Sequence, residues 1–154
     1  MVGAMGLTRS KSRMKLVGEF TTPALLAEVE TLSGWTHCDY LGWLSRKEVA
    51  GVLSSVTAAL VTFLPVPNHL DSQPNKLFEY MSAGVPVIAS DFTLWRDIIE
   101  GNNCGICVDP EDPAAIAQAI DYLVEHPEEA REMGRNGRKA VQERYNWDVE
   151  AAKL

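Results

Sequence analysis

Short apolar segments alternate with amphipathic segments of helical periodicity along most of this 154-residue chain. The predicted strands are residues 16–20, 38–42, 58–64, 86–89 and 105–108, and the predicted helices are residues 23–32, 45–53, 74–83, 94–100, 114–124, 127–141 and 149–154. Residues 1–15 show no periodicity and are predicted to be an irregular end. The alternation predicts an α/β fold, with a parallel sheet covered by helices on both faces. Such sheets bind ligands at the carboxyl ends of their strands, which is where residues 65–73 follow the third predicted strand.

The helix predicted for residues 74–83 has the clearest ends. Pro74 suits the first helical position because an N–H group is not needed there, and Gly84 suits a left-handed residue just past the end. Lys76 and Glu79, three residues apart, share one face of this helix. The inward face is predicted to carry Leu77, Phe78 and Met81.

A positive charge in the first turn of this helix indicates an anion site. The helix dipole favours Asp or Glu in a first turn, whereas this one holds Lys76. A phosphate group would reverse that preference, because the N–H groups of Asn75, Lys76 and Leu77 would face it beside the Lys76 ammonium. The spacing leaves a second interpretation open, in which Lys76 and Glu79 form an exposed ion pair and bind no ligand.

The charge balance excludes several classes of partner. The chain has 14 Lys and Arg residues against 21 Asp and Glu residues, for a net charge of −7, which argues against a nucleic acid partner. No apolar run reaches the length of a membrane span, and the N-terminus lacks the apolar core of a signal peptide. We therefore expect one soluble, cytoplasmic domain that is long enough to bury a core.

The cysteines predict neither a disulfide framework nor a metal site. Cys38, Cys104 and Cys107 are an odd number, and Cys104 and Cys107 have the C-x-x-C spacing of redox and zinc half-sites. They lie at a predicted strand, however, where residues three apart point to opposite faces, and no second pair accompanies them. We predict no redox role and no bound metal.

Four segments carry a family resemblance when they are taken together. They are Val17-Gly18-Glu19; Tyr40-Leu41-Gly42-Trp43-Leu44-Ser45; residues 74–81 with 84–89; and residues 105–113 with the helix that follows. These segments resemble the carboxy-terminal half of the group 1 glycosyltransferases, also called family 4, over most of the chain. The run Pro-Asn-Lys-Leu-Phe-Glu-Tyr-Met at residues 74–81 is similar to a bacterial branch that makes surface polysaccharides. The resemblance implies a Rossmann-like parallel sheet flanked by helices, which is one half of a GT-B glycosyltransferase.

The resemblance also implies roles for particular residues. The family has two acidic residues separated by seven, and Asp71 and Glu79 have that spacing. By this resemblance, Glu79 accepts hydrogen bonds from the ribose of a nucleotide and Asp71 faces the donor sugar, so these two are the candidate catalytic residues. The diphosphate-binding turn corresponds to Ser72, Gln73, Asn75, Lys76 and Leu77. The turn that contacts the base corresponds to Trp43, Leu44 and Ser45, although Trp43 as an aromatic that plugs the end of a strand remains an open alternative.

The chain departs from the family pattern at its beginning. The family domain starts with a strand and a helix that carry cationic residues, but here 16 residues precede Val17. Either residues 2–7 substitute for that strand, or another chain fills the gap, or the sheet is irregular. The amino-terminal acceptor domain is also absent. Residues 1–154 are thus predicted to be a truncated donor-binding domain that binds donor but does not turn over alone.

The implied activity is that of a retaining glycosyltransferase. It would move a sugar from a UDP- or GDP-linked donor, without cofactor or metal, to a glycan or lipid-linked acceptor held by the missing domain. Any membrane contact would be peripheral, at the inner membrane face, and a homo-oligomer is left open. Two alternatives keep the same fold: a non-catalytic nucleotide-binding or interaction module, and a protein similar to sugar-nucleotide epimerases.

Overall fold

The computed structural model describes residues 1–146, in which five strands alternate with helices. The strands are β1 (Met14–Val17), β2 (Cys38–Gly42), β3 (Ala59–Val61), β4 (Val87–Ser90) and β5 (Gly105–Val108). The helices are α1 (Val2–Met5), α2 (Pro23–Glu30), α3 (Arg46–Leu53), α4 (Pro67–Leu70), α5 (Asn75–Ala83), α6 (Thr93–Ile99), α7 (Pro113–Glu125), α8 (Pro127–Glu143) and a 3-10 helix (Ser33–His37). None of these helices has the length and apolarity to cross a membrane. The helix predicted for residues 149–154 lies outside the described residues.

Every strand pairing is parallel, as predicted, but the strands form two sheets instead of one. In the first sheet, Met14 of β1 lies opposite Cys38 of β2. In the second, Ala59 of β3 lies opposite Val87 of β4, which in turn lies opposite Gly105 of β5. Within residues 1–146 no strand pairs with the outer edge of β1 or of β3. Of the three possibilities for the missing strand, the structure contradicts substitution by residues 2–7, because residues 2–5 are helical.

The core covers both faces of the second sheet. All four residues of β4 are buried, as expected of a central parallel strand covered on both sides. Ile88 packs in one apolar cluster with α1 and α7. Val87 and Ala89, which point to the opposite face, pack in a second cluster with α5 and α6. These two helical layers hold the carboxyl ends of β3 and β4 in place.

β3 is shorter than the strand predicted for residues 58–64. Backbone pairing ends at Val61, and beyond it the Ser90 hydroxyl accepts the Phe63 N–H at 2.8 Å and donates to the Phe63 carbonyl at 2.8 Å. A side chain from β4 therefore takes over from backbone pairing. The apolar pattern of residues 58–64 contains no sign of this substitution, because the serine lies 27 residues away.

The N-terminal segment is an ordered part of the fold, so its prediction as an irregular end was wrong. Ala4 and Met5 of α1 are buried against α7 and the 3-10 helix. Next to α1, the Asp121 carboxylate accepts the backbone N–H groups of Arg9 and Ser10, each at 2.9 Å. These contacts join the segment before β1 to the middle of α7.

The helix predicted for residues 74–83 is confirmed as α5, with a shift of one residue at its start. Pro74 is the residue before the first turn and not the first helical residue, because its ψ of 133° is extended. Gly84 has the predicted left-handed conformation, with φ of 74°. Leu77 and Met81 are fully buried, which confirms the predicted inward face.

Candidate functional site

The candidate site lies where the chain leaves β3 and enters α5. The exit segment of residues 62–74 includes the short helix α4 and follows the carboxyl end of a parallel strand. At the same edge, the chain leaves β4 through Asp91, whose carboxylate forms an ion pair with Arg96. Ligands of open parallel sheets bind at this edge, since the loops that follow the strands converge there.

A buried aromatic group fixes the end of this segment. The Trp95 indole N–H donates to the Ser72 carbonyl at 2.6 Å, and the ring is fully buried. It makes edge contacts with the rings of Phe63 and Phe92, at centroid distances of 5.5 and 4.9 Å. The chain is thus tied to the core one residue after Asp71 and two residues before Pro74. Trp95 was not among the predicted site residues. The sequence indicates this aromatic group only by the presence of Phe92 three residues before Trp95.

His69 is held within the segment by local contacts. Its Nδ1 lies 2.9 Å from the Leu64 carbonyl oxygen, and its ring lies over that of Phe63 at a centroid distance of 4.8 Å. Ser72, a predicted diphosphate residue, also has a local partner, because its hydroxyl donates to the His69 carbonyl at 2.9 Å. The hydroxyl of Ser72 would have to leave this bond to contact a ligand.

The N-terminus of α5 has no side-chain cap, as an anion site would require. The N–H groups of Asn75 and Lys76 precede the first intrahelical bond and have no helical partner. The Leu77 N–H, the third amide predicted to face the anion, instead donates to the Pro74 carbonyl at 3.0 Å. Two amides and the Lys76 ammonium therefore remain for an anion at this end.

Lys76 and Glu79 do not pair with each other. Among the ion pairs of residues 1–146 none involves either side chain, although both are exposed on α5. The ion pair of the alternative interpretation is therefore not formed in this structure, and ligand binding stays a prediction. Both charged groups remain available to a ligand.

Asp71 and Glu79 are exposed on either side of the start of α5. Asp71 ends α4 and Glu79 lies in the second turn of α5. Their carboxylates form neither a hydrogen bond nor an ion pair in the part of the chain that the structure describes. The Glu79 charge does act on its neighbour, because burial first and this charge second raise the pKa of Tyr80. Gln73 and Asn75, between the two carboxylates, are exposed as well.

The turn predicted to contact the base lies before α3, which packs against α5. The Trp43 side chain is 71% exposed, so it does not plug the end of β2 and that alternative was wrong. Ser45 caps α3: its hydroxyl donates to the Glu48 carboxylate at 2.6 Å, and the same carboxylate accepts the Ser45 N–H at 2.8 Å. The bond from the Ser45 hydroxyl, and to a smaller extent the bond from the Ser45 N–H, hold the pKa of Glu48 below its usual range. Leu44 is half-buried between these residues, and base contact by all three stays a prediction.

A cavity beside the site lies between the two sheets, with a volume of about 640 Å³. Its walls include β1 and β3, and Lys76 and Tyr80 of α5 reach it. Of the predicted site residues, Lys76 alone lines this cavity; Asp71, Glu79 and Trp43 do not. The structure therefore places the carboxylates on the open surface and Lys76 between that surface and the cavity.

Two of the cysteines lie at β5 and are free thiols. Cys104 lies just before the strand and is buried, whereas Cys107 lies on the strand and is half-buried. Burial raises the pKa of each thiol to about 12, so neither is a thiolate near neutral pH. No three His, Cys, Asp or Glu side chains among residues 1–146 are grouped in a way that could hold a metal ion.

Comparison with known proteins identifies the family. Residues 8–140 match the family described as glycosyl transferases group 1. The chain belongs to this family. Its match covers most of the described residues, including both sheets and α5, so the resemblance noted in the sequence is confirmed. The fold is that of one half of a GT-B glycosyltransferase.

Individual relatives of this group 1 chain are longer than it is. The D-rhamnosyltransferase WbpZ of Pseudomonas aeruginosa is 35% identical over 124 residues, which cover 79% of this chain and 31% of that protein. Sucrose-phosphate synthase from Thermosynechococcus elongatus superposes with a TM-score of 0.81 at 25% identity, covering 99% of this chain and 39% of that one. Alr3699/HepE of Anabaena, solved in complex with UDP, superposes with a TM-score of 0.82 at 16% identity, covering 99% of this chain and 42% of that one. The chain thus spans between about a third and two fifths of these relatives.

Proposed function

We propose that this chain is the donor-binding domain of a glycosyltransferase and binds a nucleoside diphosphate sugar at the start of α5. The observation that carries the proposal is the uncapped N-terminus of α5, with the unpaired charges of Lys76 and Glu79 in its first two turns. The oxygens of a diphosphate would accept hydrogen bonds from the N–H groups of Asn75 and Lys76 and from the Lys76 ammonium. The Glu79 carboxylate, one turn further along, would accept from two neighbouring ribose hydroxyls.

The remaining predicted residues take the other parts of the donor in this proposal. Asp71 faces the sugar, and Trp43, Leu44 and Ser45 lie near the base. The Ser45 hydroxyl is engaged with Glu48, so base contact at that residue would come from its backbone. The donor in this proposal is linked to UDP or to GDP, and the titration described below distinguishes the two bases.

For the whole protein, we propose retaining transfer of the sugar to a glycan or lipid-linked acceptor in the synthesis of a bacterial surface polysaccharide. The role of this domain is then electrostatic: Lys76 and the amides at the start of α5 offset the charge that develops on the leaving diphosphate. The acceptor would bind to a second domain, which residues 1–154 do not include, at the cytoplasmic side of the inner membrane. Alone, the domain is expected to bind donor without turning it over.

Calorimetric titration of the 154-residue chain with UDP, GDP and ADP tests the donor site. We expect one nucleotide to bind, and Glu79→Gln to weaken it by about 10- to 100-fold, as for the loss of hydrogen bonds to a charged group. Glu28→Gln is the matched control, because Glu28 is an exposed glutamate on α2 and should leave affinity unchanged. Equal affinity of the two variants, or no binding of any nucleotide to the folded chain, would contradict the proposal.

A further inference from the structure

One hydrogen bond from α6 holds the exit segment in place beside the candidate site. The Trp95 indole N–H donates to the Ser72 carbonyl at 2.6 Å. Among the hydrogen bonds of residues 1–146, it is the one that joins residues 64–73 to another part of the fold. The other bonds in this stretch, such as those of His69, are local. Trp95 is therefore the polar anchor of the stretch.

The anchor is itself held firmly by the core. The Trp95 ring is fully buried and packs against the rings of Phe63 and Phe92. Its single N–H would be left unsatisfied in the core if the bond to Ser72 were lost, which disfavours release of the segment. Nearer its start, the segment is held by the buried Ser90 hydroxyl, which bonds the Phe63 backbone twice at 2.8 Å. Buried side chains of β4 and α6 thus fix the segment at two points.

The anchored carbonyl lies between the two parts of the proposed donor site. Asp71 directly precedes Ser72 in the chain, whereas α5 begins at Asn75, three residues after it. The last residue before α5 is Pro74, whose ring fixes its φ at −69°. The Ser72 carbonyl is therefore joined to α5 by a short and partly rigid connection. The position of the Asp71 carboxylate relative to the start of α5 depends on this carbonyl, and so on Trp95.

We propose that Trp95 is a positioning residue that sets the affinity of the site for the sugar part of the donor. In the proposed function, on which this role of Trp95 rests, Asp71 faces the sugar while α5 binds the diphosphate and the ribose. With the Trp95 bond in place, the Asp71 carboxylate is held where it can accept from sugar hydroxyls. Without the bond, each sugar that binds must also order residues 64–73, at a cost in conformational entropy. Binding of the nucleotide to α5 does not carry this cost.

Calorimetric titration of Trp95→Phe and of the unchanged 154-residue chain separates the two contributions. The probes are two matched pairs, UDP with UDP-glucose and GDP with GDP-mannose. For the pair that the unchanged chain binds, we expect Trp95→Phe to lose about tenfold more affinity for the nucleotide sugar than for the nucleotide. This factor is that of one hydrogen bond to a charged group. A role of Trp95 in folding alone would lower both affinities by the same factor, and that result would overturn the proposal.

Two further proteins separate the N–H group of Trp95 from the packing of its ring. Phe92→Leu removes packing beside Trp95 but keeps the bond to Ser72, so it should leave the ratio of the two affinities unchanged. Replacement of Trp95 by benzothienylalanine, in which sulfur takes the place of the N–H, keeps the shape of the ring and should change the ratio as Trp95→Phe does. This replacement decides if Trp95→Phe does not fold. An unchanged ratio with benzothienylalanine would overturn the proposal.

Hydrogen exchange without any ligand distinguishes failure of the anchor from failure of the donor site. The N–H groups of Val66, His69 and Ser72 form local bonds in the exit segment, and we expect them to exchange faster in Trp95→Phe than in Phe92→Leu. Equal exchange in the two variants would mean that the Trp95 bond does not hold the segment, and would overturn the proposal alone. If no nucleotide binds to the unchanged chain, the proposed function fails, and the sugar-binding role of Trp95 fails with it.

Discussion

At the scale of single residues, Asp121 is a buried charged residue on α7. Its side chain is 4% exposed and accepts hydrogen bonds from the backbone of Arg9 and from the backbone and hydroxyl of Ser10. Burial alone would raise the pKa of this carboxyl, but the bonds from Ser10 and Arg9 outweigh burial and hold the pKa below its usual value. Asp121 therefore stabilises the fold in its ionised form.

Asp121→Asn should make the chain less stable by about 1–3 kcal/mol at pH 7, because the donors of Arg9 and Ser10 lose a charged acceptor. A lowered pKa in the folded state gives stability that is present above the unfolded value of 3.8 and is lost as the pH falls through the folded pKa. The difference in stability between wild type and variant should thus begin to narrow below about pH 4 and be smaller at pH 3 than at pH 7. Urea unfolding of both proteins at pH 7 and pH 3 measures this difference. Glu125→Gln is the control, because Glu125 is an exposed carboxylate on the same helix. A gap that stays constant with pH would contradict this role.

The residues of the candidate site differ in how far the sequence could indicate them. Lys76 and Glu79 could be singled out because helix position and charge are local properties, and both prove exposed and unpaired. Trp95 could not, since its bond to the Ser72 carbonyl joins residues 23 apart in the chain. The partner of the Leu77 amide could not be predicted for a related reason: Pro74 lies one residue before the helix, and its carbonyl accepts the Leu77 N–H.

At the scale of elements, α8 illustrates how packing reverses an intrinsic preference. Gly134 lies in the middle of this helix, where Gly costs about 1 kcal/mol relative to Ala. A Cβ at this position would lie 2.0 Å from the Gly84 carbonyl oxygen, at the end of α5. The glycine therefore lets α8 approach the turn between α5 and β4.

Gly134→Ala should consequently destabilise the chain by about 1–3 kcal/mol, as for an overpacked core, despite the better helix propensity of Ala. Gly51→Ala is the control, because Gly51 lies in α3 with nothing within 4 Å of its Cβ position, and it should gain about 1 kcal/mol. Urea unfolding of the two variants gives the comparison. If both were stabilising, the close approach of α8 to Gly84 would be wrong.

Most elements could be predicted from local pattern, and the exceptions share a physical cause. β2 and β5 have the predicted bounds, because turns and glycines delimit their apolar runs. β3 is shortened by a side chain from β4, and α1 is helical because it packs against α7 and the 3-10 helix. These exceptions depend on contacts between distant parts of the chain, which a window of adjacent residues does not contain.

At the scale of the whole molecule, the two sheets differ in how much they bury. Neither α2 nor α3, the helices next to β1 and β2, contains a buried residue, and β2 has none either. By contrast, β4 is buried along its whole length between two apolar clusters. Buried apolar area is the main source of stability, so the part around β1 and β2 should be the weaker one.

Native-state hydrogen exchange should therefore resolve the two parts. We expect the amides of β2 (Cys38–Gly42) to open with a free energy at least about 2 kcal/mol below that of β4 (Val87–Ser90), roughly the effect of burying one aliphatic side chain. The reason lies in the interrupted sheet: no backbone ladder joins β1 to β3, so opening the first sheet breaks no strand pairing of the second. Equal opening free energies would mean that α1 and the Asp121 contacts alone couple the two sheets into one cooperative unit.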